Sequence, residues 1–402
     1  MSQSLLYHAF GVREGYEYRS TSYEKGEVQF HLAVKDDLFV CPICKSCHVI
    51  RKGGRERSLQ TVPIGMKAVF LVTEVPKCEC KDCGAKFEIS PHFASAYVHY
   101  TEKLAAYANV LSRLMTISDA AELSGLSWDT VKDIVKQRLK KDYEHISFKG
   151  LKNLSIDEIY VGRKKKFYTL VLDLDSGRIV WVCRGRGKAA LQGFWRRVRK
   201  CKAKIQAVAM DMSGAYWAAV LEALPKVKVV FDRFHIIKLM NEKLDDLRRD
   251  LVREAEGPLK MEIKGTRYLL LSRMDNLKDD QLPKLEKALK LNEPLFVAWY
   301  LKEELTLLWE QNSYKAMEHF LRQWCARAMD TGIRQLTQIA KTLLTHWTGI
   351  LNWWVNPINN GQMEGTNNKI KTLTRQAYGY RDEDFFILKL LGLHESRYKL
   401  VG

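Results

Sequence analysis

Two cysteine pairs of matched spacing constrain this chain more than any other feature. Cys41-Pro-Ile-Cys44 and Cys80-Lys-Asp-Cys83 each set two thiols across a tight turn, and four such thiols suit a tetrahedral zinc ion. Around them, Val, Ile and Phe runs alternate with Gly and Pro breaks, the pattern of a small metal-stapled β unit over residues 1–95. Gly84 follows the second pair and suits its turn. The 35 residues between Cys44 and Cys80 exceed the usual ribbon spacing, and Cys47, His48 and Cys78 stand as rival ligands. The opening residues lack a basic segment followed by an apolar one, and no apolar run reaches membrane-spanning length. A reducing cytoplasm is therefore expected, where clustered cysteines bind metal rather than form disulfides.

From residue 96 to 150 apolar residues recur at three- and four-residue intervals, which predicts helices. Within them Ile117 to Lys132 offers a short helix, Gly125 at a turn, and Ser127 as the cap of a second helix. That is a helix-turn-helix pattern, with Lys132, Lys136 and Arg138 available for DNA. Residues 151–235 then read as a three-stranded meander, a helix, a fourth strand, a helix and a fifth strand, a mixed α/β sheet. Residues 236–355 read as a helical insertion. A polar loop, NNGQMEGTNNKIKTLTRQAYGY, and a final amphipathic helix complete the core over 356–402.

Three acidic residues fall at strand ends or in that polar stretch: Asp157, Asp211 and Glu364. The two aspartates interrupt apolar strands, where an unpaired charge is costly, and three converging carboxylates can hold two divalent cations for phosphoryl transfer. Phe231-Asp232-Arg233-Phe234-His235 closes the fifth strand, with His235 placed to orient a phosphate or a water. Lysine and arginine exceed acidic residues by 65 to 47, a net charge of +18 that favours a polyanionic partner. Basic runs containing Arg163, Lys164, Arg196 and Arg197, with Asn367, Asn368, Lys369 and Lys371 after Glu364, are expected to grip a DNA backbone.

The ordered set CPIC, VPIG, CKDCGAKF, the helix-turn-helix, SIDE, AMDMSGAY, FDRFHI and NNGQMEGTNNKIKTLTRQAYGYRDEDFF resembles the ISL-three family of bacterial insertion-sequence transposases, over about residues 38–398. The resemblance implies a zinc-binding N-terminal region, a helix-turn-helix, and an RNase H-like DDE catalytic domain with a helical insertion before its glutamate. It implies Asp157, Asp211 and Glu364 as a triad holding Mg2+ or Mn2+, and zinc on the N-terminal cysteines. Asp232 and His235 match an accessory D-x-x-H motif, and Asp232 is the rival for the second acid. Lys77-Cys78-Glu79 departs from the family's arginine and aromatic residues, which leaves the zinc ligand set open.

The implied activity is cleavage of double-stranded DNA at terminal inverted repeats and strand transfer into target DNA. A homodimer or larger assembly would act in the bacterial cytoplasm, on the nucleoid, without a membrane partner. Two other readings use the same residues: a zinc and helix-turn-helix regulator that binds DNA without cutting it, and an RNase H-like nuclease that cuts without joining. Metal-dependent cleavage and strand transfer separate the three.

Overall fold

The longest strands of the chain are the two that connect the cysteine pairs. In this computed structural model residues 3–161 and 166–395 are described, and the chain divides into one unit built from Met1–His145 with Thr372–Gly402 and another spanning Ile146–Lys371. The first unit begins with α1 (Gln3–Phe10), β1 (Tyr16–Glu24), β2 (Glu27–Val34), β3 (Val49–Ile64), β4 (Lys67–Cys80) and β5 (Lys86–Glu88). Their sheet has the order β1-β2-β4-β3, with β5 also paired to β4. The β3–β4 hairpin turns at Gly65, whose φ of +61° suits a residue without Cβ. Its arms run back in antiparallel register until Val49 faces Cys80. The hairpin thus consumes the long interval between the cysteine pairs and returns both to one end. Alternating side chains of β2 and β4, among them Phe30, Leu32, Val69 and Leu71, bury one face of the sheet in a cluster with Leu6 and Phe10 of α1.

Three helices follow in the same unit: α2 (Glu102–Leu111), α3 (Ile117–Ser124) and α4 (Trp128–Tyr143). Thr116 and Asp119 form a reciprocal capping box at the start of α3, Gly125 ends it at φ +68°, and the Ser127 hydroxyl caps α4. The Gln60 side chain on β3 donates to the carbonyls of Ser124 and Gly125 and so fixes this turn.

The second unit carries β6 (Asn153–Val161), β7 (Lys166–Asp173), β8 (Arg178–Arg184), α5 (Lys188–Cys201), β9 (Ala207–Met210), α6 (Gly214–Ala223) and β10 (Lys228–Phe231). They form the expected mixed five-stranded sheet, in the order β10-β9-β6-β7-β8. Strands β6, β9 and β10 are mutually parallel, whereas β6, β7 and β8 make the antiparallel meander. A helical run follows: α7 (Arg233–Glu254), α8 (Gly257–Lys264), α9 (Arg267–Leu271), α10 (Leu282–Leu291), α11 (Glu293–Leu305), α12 (Tyr314–Asp330), α13 (Arg334–Thr345) and α14 (Trp347–Val355). Its apolar faces merge with the sheet in one core; on α13 the buried residues Leu336, Ile339, Ala340 and Leu343 keep the helical period.

At the sheet edge α14 packs on β10, where Asn352 donates to the Val229 carbonyl at 2.8 Å and Gly349 lies against the Phe231 ring. A Cβ on Gly349 would lie 2.3 Å from that ring.

One expectation needs correction. The stretch read as a polar loop is a helix, α15 (Gly361–Gln376). Its only buried side chains are Met363, Ile370 and Leu373. That stripe is too narrow for apolar periodicity to reveal, and Glu364, Asn367, Asn368 and Lys371 face a pocket instead. Helix α16 (Glu383–Leu391) follows and belongs to the first unit. There Phe385 joins Ala108, Ala120, Val131 and Val135 in a small core. Asp382 caps α16 at the Phe385 N–H and accepts two bonds from Lys136 of α4, at 2.8 and 3.0 Å. Among the described residues no helix is long and apolar enough to cross a membrane.

Two stability effects follow. Gly349→Ala forces a methyl into a closed ring contact and is expected to cost about 1–3 kcal/mol by denaturant titration. The Lys136 bond holds the Asp382 carboxyl below its usual range. A lowered folded pKa stabilises above the unfolded value of about 4 and is lost as pH falls through the folded one. Asp382→Asn, which keeps the cap, should therefore lower stability at pH 7. Its deficit relative to wild type should shrink in titrations below about pH 4.

Candidate functional site

The four expected zinc ligands are gathered into one cluster. The sulfurs of Cys41, Cys44, Cys80 and Cys83 all lie within 4.8 Å of one another. Cys41 and Cys83 are 3.6 Å apart, Cys44 and Cys80 3.5 Å. A tetrahedral zinc with Zn–S arms of about 2.3 Å needs sulfur edges of about 3.8 Å, so the cage fits. The two knuckles repeat each other: the Lys45 N–H returns to the Cys41 carbonyl as that of Gly84 does to Cys80, and both turn residues have positive φ. The rivals point elsewhere. His48 and Ser46 bond Asp82, Cys47 is exposed, and Cys78 is buried in β4. Cys41→Ser should abolish one equivalent of bound zinc and unfold the hairpin end, whereas Cys47→Ser should retain zinc; metal analysis and thermal melting check both.

The acidic residues meet through strand register. Ile156 of β6 pairs with Met210 of β9, and Met210 with Phe231 of β10. The next residue in each case is an aspartate, so Asp157, midway along β6, and Asp211 and Asp232, directly after β9 and β10, form one row across three adjacent parallel strands, at the carboxyl ends of β9 and β10. Such ends open into a crevice in α/β sheets. Here it is a pocket of about 520 Å³, to which α15 adds Glu364, Asn367 and Lys371 at helical spacing.

Each carboxylate has its own environment. Burial, and then the charge of Asp211, raise the pKa of Asp157. Its Oδ1 accepts from the Glu158 N–H at 2.7 Å and its Oδ2 from the Asn367 amide at 2.6 Å. Asp232 is buried and accepts from His235 Nδ1 at 3.0 Å and from the Asn360 N–H at 3.5 Å. The same His235 nitrogen lies 2.8 Å from Asp211 Oδ1. Its one N–H is aligned with Asp232, which leaves Asp211 Oδ1 buried without a hydrogen bond. Burial alone would lower the His235 pKa, but the close carboxylates of Asp211 and Asp232 outweigh it and raise it to about 10. The ring is therefore an imidazolium at neutral pH. Glu364 is exposed on the first turn of α15.

The donor set fits a hard divalent cation. It is all oxygen, and besides Asp211 Oδ1 the buried carbonyl oxygen of Asn367 lacks a partner. Among the described residues only the cysteines form a group within 4.8 Å; the acidic oxygens are spread more widely.

The expected DNA-binding residues have varied settings. Lys132 pairs with Asp133, Lys136 with Asp382, and Arg138 with Asp142. Arg197 donates to the Ile146 carbonyl and lies over the Phe148 ring, while Arg196 is exposed. Asn368 and Lys371 line the acidic pocket and Lys369 is exposed. Arg163 and Lys164 lie outside the described residues. Sequence reasoning missed Asn360, Ser155 and Tyr216. The Asn360 side chain accepts from Ser155 of β6, and its carbonyl accepts from the Glu364 N–H, so it fixes the start of α15. An Asn ahead of Gly361 was the available capping signal. Tyr216 accepts from the Gly187 N–H and bonds Thr169 beside the pocket.

Comparison with known proteins gives two family matches. A DDE-type ISL-three transposase model, described as a transposase, matches residues 154–390, more than half of the chain. A second, the zinc-finger of transposase IS204/IS1001/IS1096/IS1165, matches residues 37–83. Among curated relatives, the transposase for insertion sequence element IS1001 of Bordetella parapertussis is 29% identical over 355 residues, covering 87% of each chain. The transposase for insertion sequence element IS1557 of Mycobacterium tuberculosis is 28% identical over 381 residues, covering 87% of this chain and 84% of the relative. The Drosophila P element transposase strand transfer complex is similar at 10% identity and a TM-score of 0.38, over 79% of this chain and 95% of that one.

Proposed function

The chain belongs to the DDE-type ISL-three transposase family, as an insertion-sequence transposase that cuts and joins DNA, and on that premise we propose how its parts divide the work. Asp157, Asp211 and Glu364 are the metal-binding triad, and Asp232 with His235 is its brace. The single observation that carries this division is the difference in exposure at one histidine nitrogen: Asp232, hydrogen-bonded to His235 Nδ1, is buried, whereas the Asp211 side chain, 2.8 Å from the same nitrogen, is 40% exposed and lines the pocket. Mg2+, or Mn2+, bound there would activate a water and stabilise the leaving oxygen of an in-line displacement.

The protein's own groups do the rest. Asn367 holds Asp157 in one rotamer, the His235 imidazolium offsets carboxylate repulsion, and Lys238 and Lys371 at the pocket rim attract phosphate. The first strand break occurs at the end of a terminal inverted repeat, and the freed 3′-hydroxyl attacks target DNA. The sheet of the second unit is an RNase H-like core, with α7 to α14 as the insertion before Glu364. Helices α3 and α4 are a helix-turn-helix that reads the repeat. The Lys132–Asp133 and Arg138–Asp142 ion pairs are weak local pairs that DNA phosphates can displace, and Lys136 would reach DNA only by giving up its two bonds to Asp382. Zinc holds the hairpin end. Synapsis of two element ends requires at least a dimer on DNA, acting on the nucleoid in the cytoplasm.

The test is cleavage and strand transfer on a labelled duplex carrying the element's terminal repeat, with Mg2+ or Mn2+. Asp157→Ala, Asp211→Ala and Glu364→Ala are each expected to reduce both steps by more than about 1,000-fold while retaining DNA binding. Asp232→Asn is expected to retain measurable cleavage. Loss with Asp232→Asn and survival of Asp211→Ala would reverse the two assignments. Tight binding of the repeat with no cleavage under either metal would leave the regulator reading.

A further inference from the structure

The rim of the acidic pocket is aromatic, although phosphoryl transfer needs only cations, carboxylates and hydrogen bonds. Phe234 stands between Asp232 and His235 in sequence and is 53% exposed on the first turn of α7, while Asp232 and His235 belong to the acidic row. Across the pocket Tyr160 lies near the end of β6, 49% exposed. Its ring is backed by Phe167, the residue opposite in the β6–β7 register, with centroids 5.4 Å apart. The Arg186 guanidinium sits 5.0 Å over the Phe167 ring from β8's end of the meander. Arg186, Phe167 and Tyr160 thus form a braced row whose last member meets solvent. The Phe234 ring offers no donor to a phosphate oxygen and the Tyr160 ring offers one only at its hydroxyl, and exposing both ring faces forfeits apolar burial. Their chemistry is complementary to the π-face of a nucleobase.

We propose that Tyr160 and Phe234 form a binding site for an unpaired nucleobase next to the scissile phosphate. A base can reach a ring at the pocket mouth only after it leaves its stack, and the two rings recover part of the unstacking cost. Lys238 and Lys371 on the same rim would hold the phosphates on either side. The site would make the opening of the flanking base pair part of substrate selection. This inference rests on the reading of the pocket as the DNA-cleaving centre.

The test uses the full-length protein and two repeat-end duplexes, one fully paired and one with a mismatch at the base pair flanking the cleaved bond. Tyr160→Ala and Phe234→Ala are expected to cut the paired duplex about tenfold or more slowly, at unchanged affinity for the repeat. The mismatched duplex should restore most of the rate. Tyr160→Phe and Phe234→Tyr, which keep a ring, should behave as wild type. In Ca2+, 2-aminopurine at the flanking position should change fluorescence on binding wild type and not the alanine variants. Equal rates for wild type and alanine variants on the paired duplex would overturn the base site alone. So would an equal loss on both duplexes. Failure of the wild type to cut either duplex would overturn the cleavage reading itself.

Discussion

The acidic end of the second sheet depends on how its carboxylates are compensated, above all by His235, whose ring bonds Asp232 and lies 2.8 Å from Asp211. Parallel register places Asp232, Asp211 and Asp157 side by side, at a strand spacing of about 4.8 Å. Charges that close, away from bulk water, repel by a few kcal/mol per pair. His235 sits between two of them and bonds one. The third is restrained by the Glu158 N–H and the Asn367 amide. Without these donors the strands could pair only with some of the acids protonated.

On the proposed division of roles, bracing is separate from binding. Asp232 is saturated from both sides and buried, and behaves as part of the scaffold. Asp211 is equally close to the histidine and yet keeps an oxygen without a donor. Glu364 and Asn367 arrive from a helix rather than a strand, one turn apart, and the Asn360 contacts with Ser155 and Asp232 set where that turn begins. The helix is therefore tied to the strands at two residues, Asn360 ahead of its first turn and Asn367, whose amide bonds Asp157.

Much of this was legible in the sequence, and the exceptions have physical reasons. The cysteine pairs were visible by spacing, but the choice among six cysteines waited for the register that brings Val49 opposite Cys80. Asp157 and Asp211 were visible because they interrupt apolar strands. Helix α15 was not, since its few apolar residues serve a narrow contact and its polar ones serve the pocket. Of the cations of α4, Lys132 and Arg138 have local partners in Asp133 and Asp142, but the partner of Lys136 is invisible to a local reading. Lys136 meets Asp382 across 246 residues.

The first unit draws its small helical core from both ends of the chain: Phe385 closes a cluster begun by Ala108, and Asp382 answers Lys136. On the ribosome this core has no lid until the last segment emerges. Glu364 reaches the acidic row at nearly the same moment. The order of synthesis thus withholds the complete helical core and the complete acidic set together, so that a prematurely terminated product would carry neither.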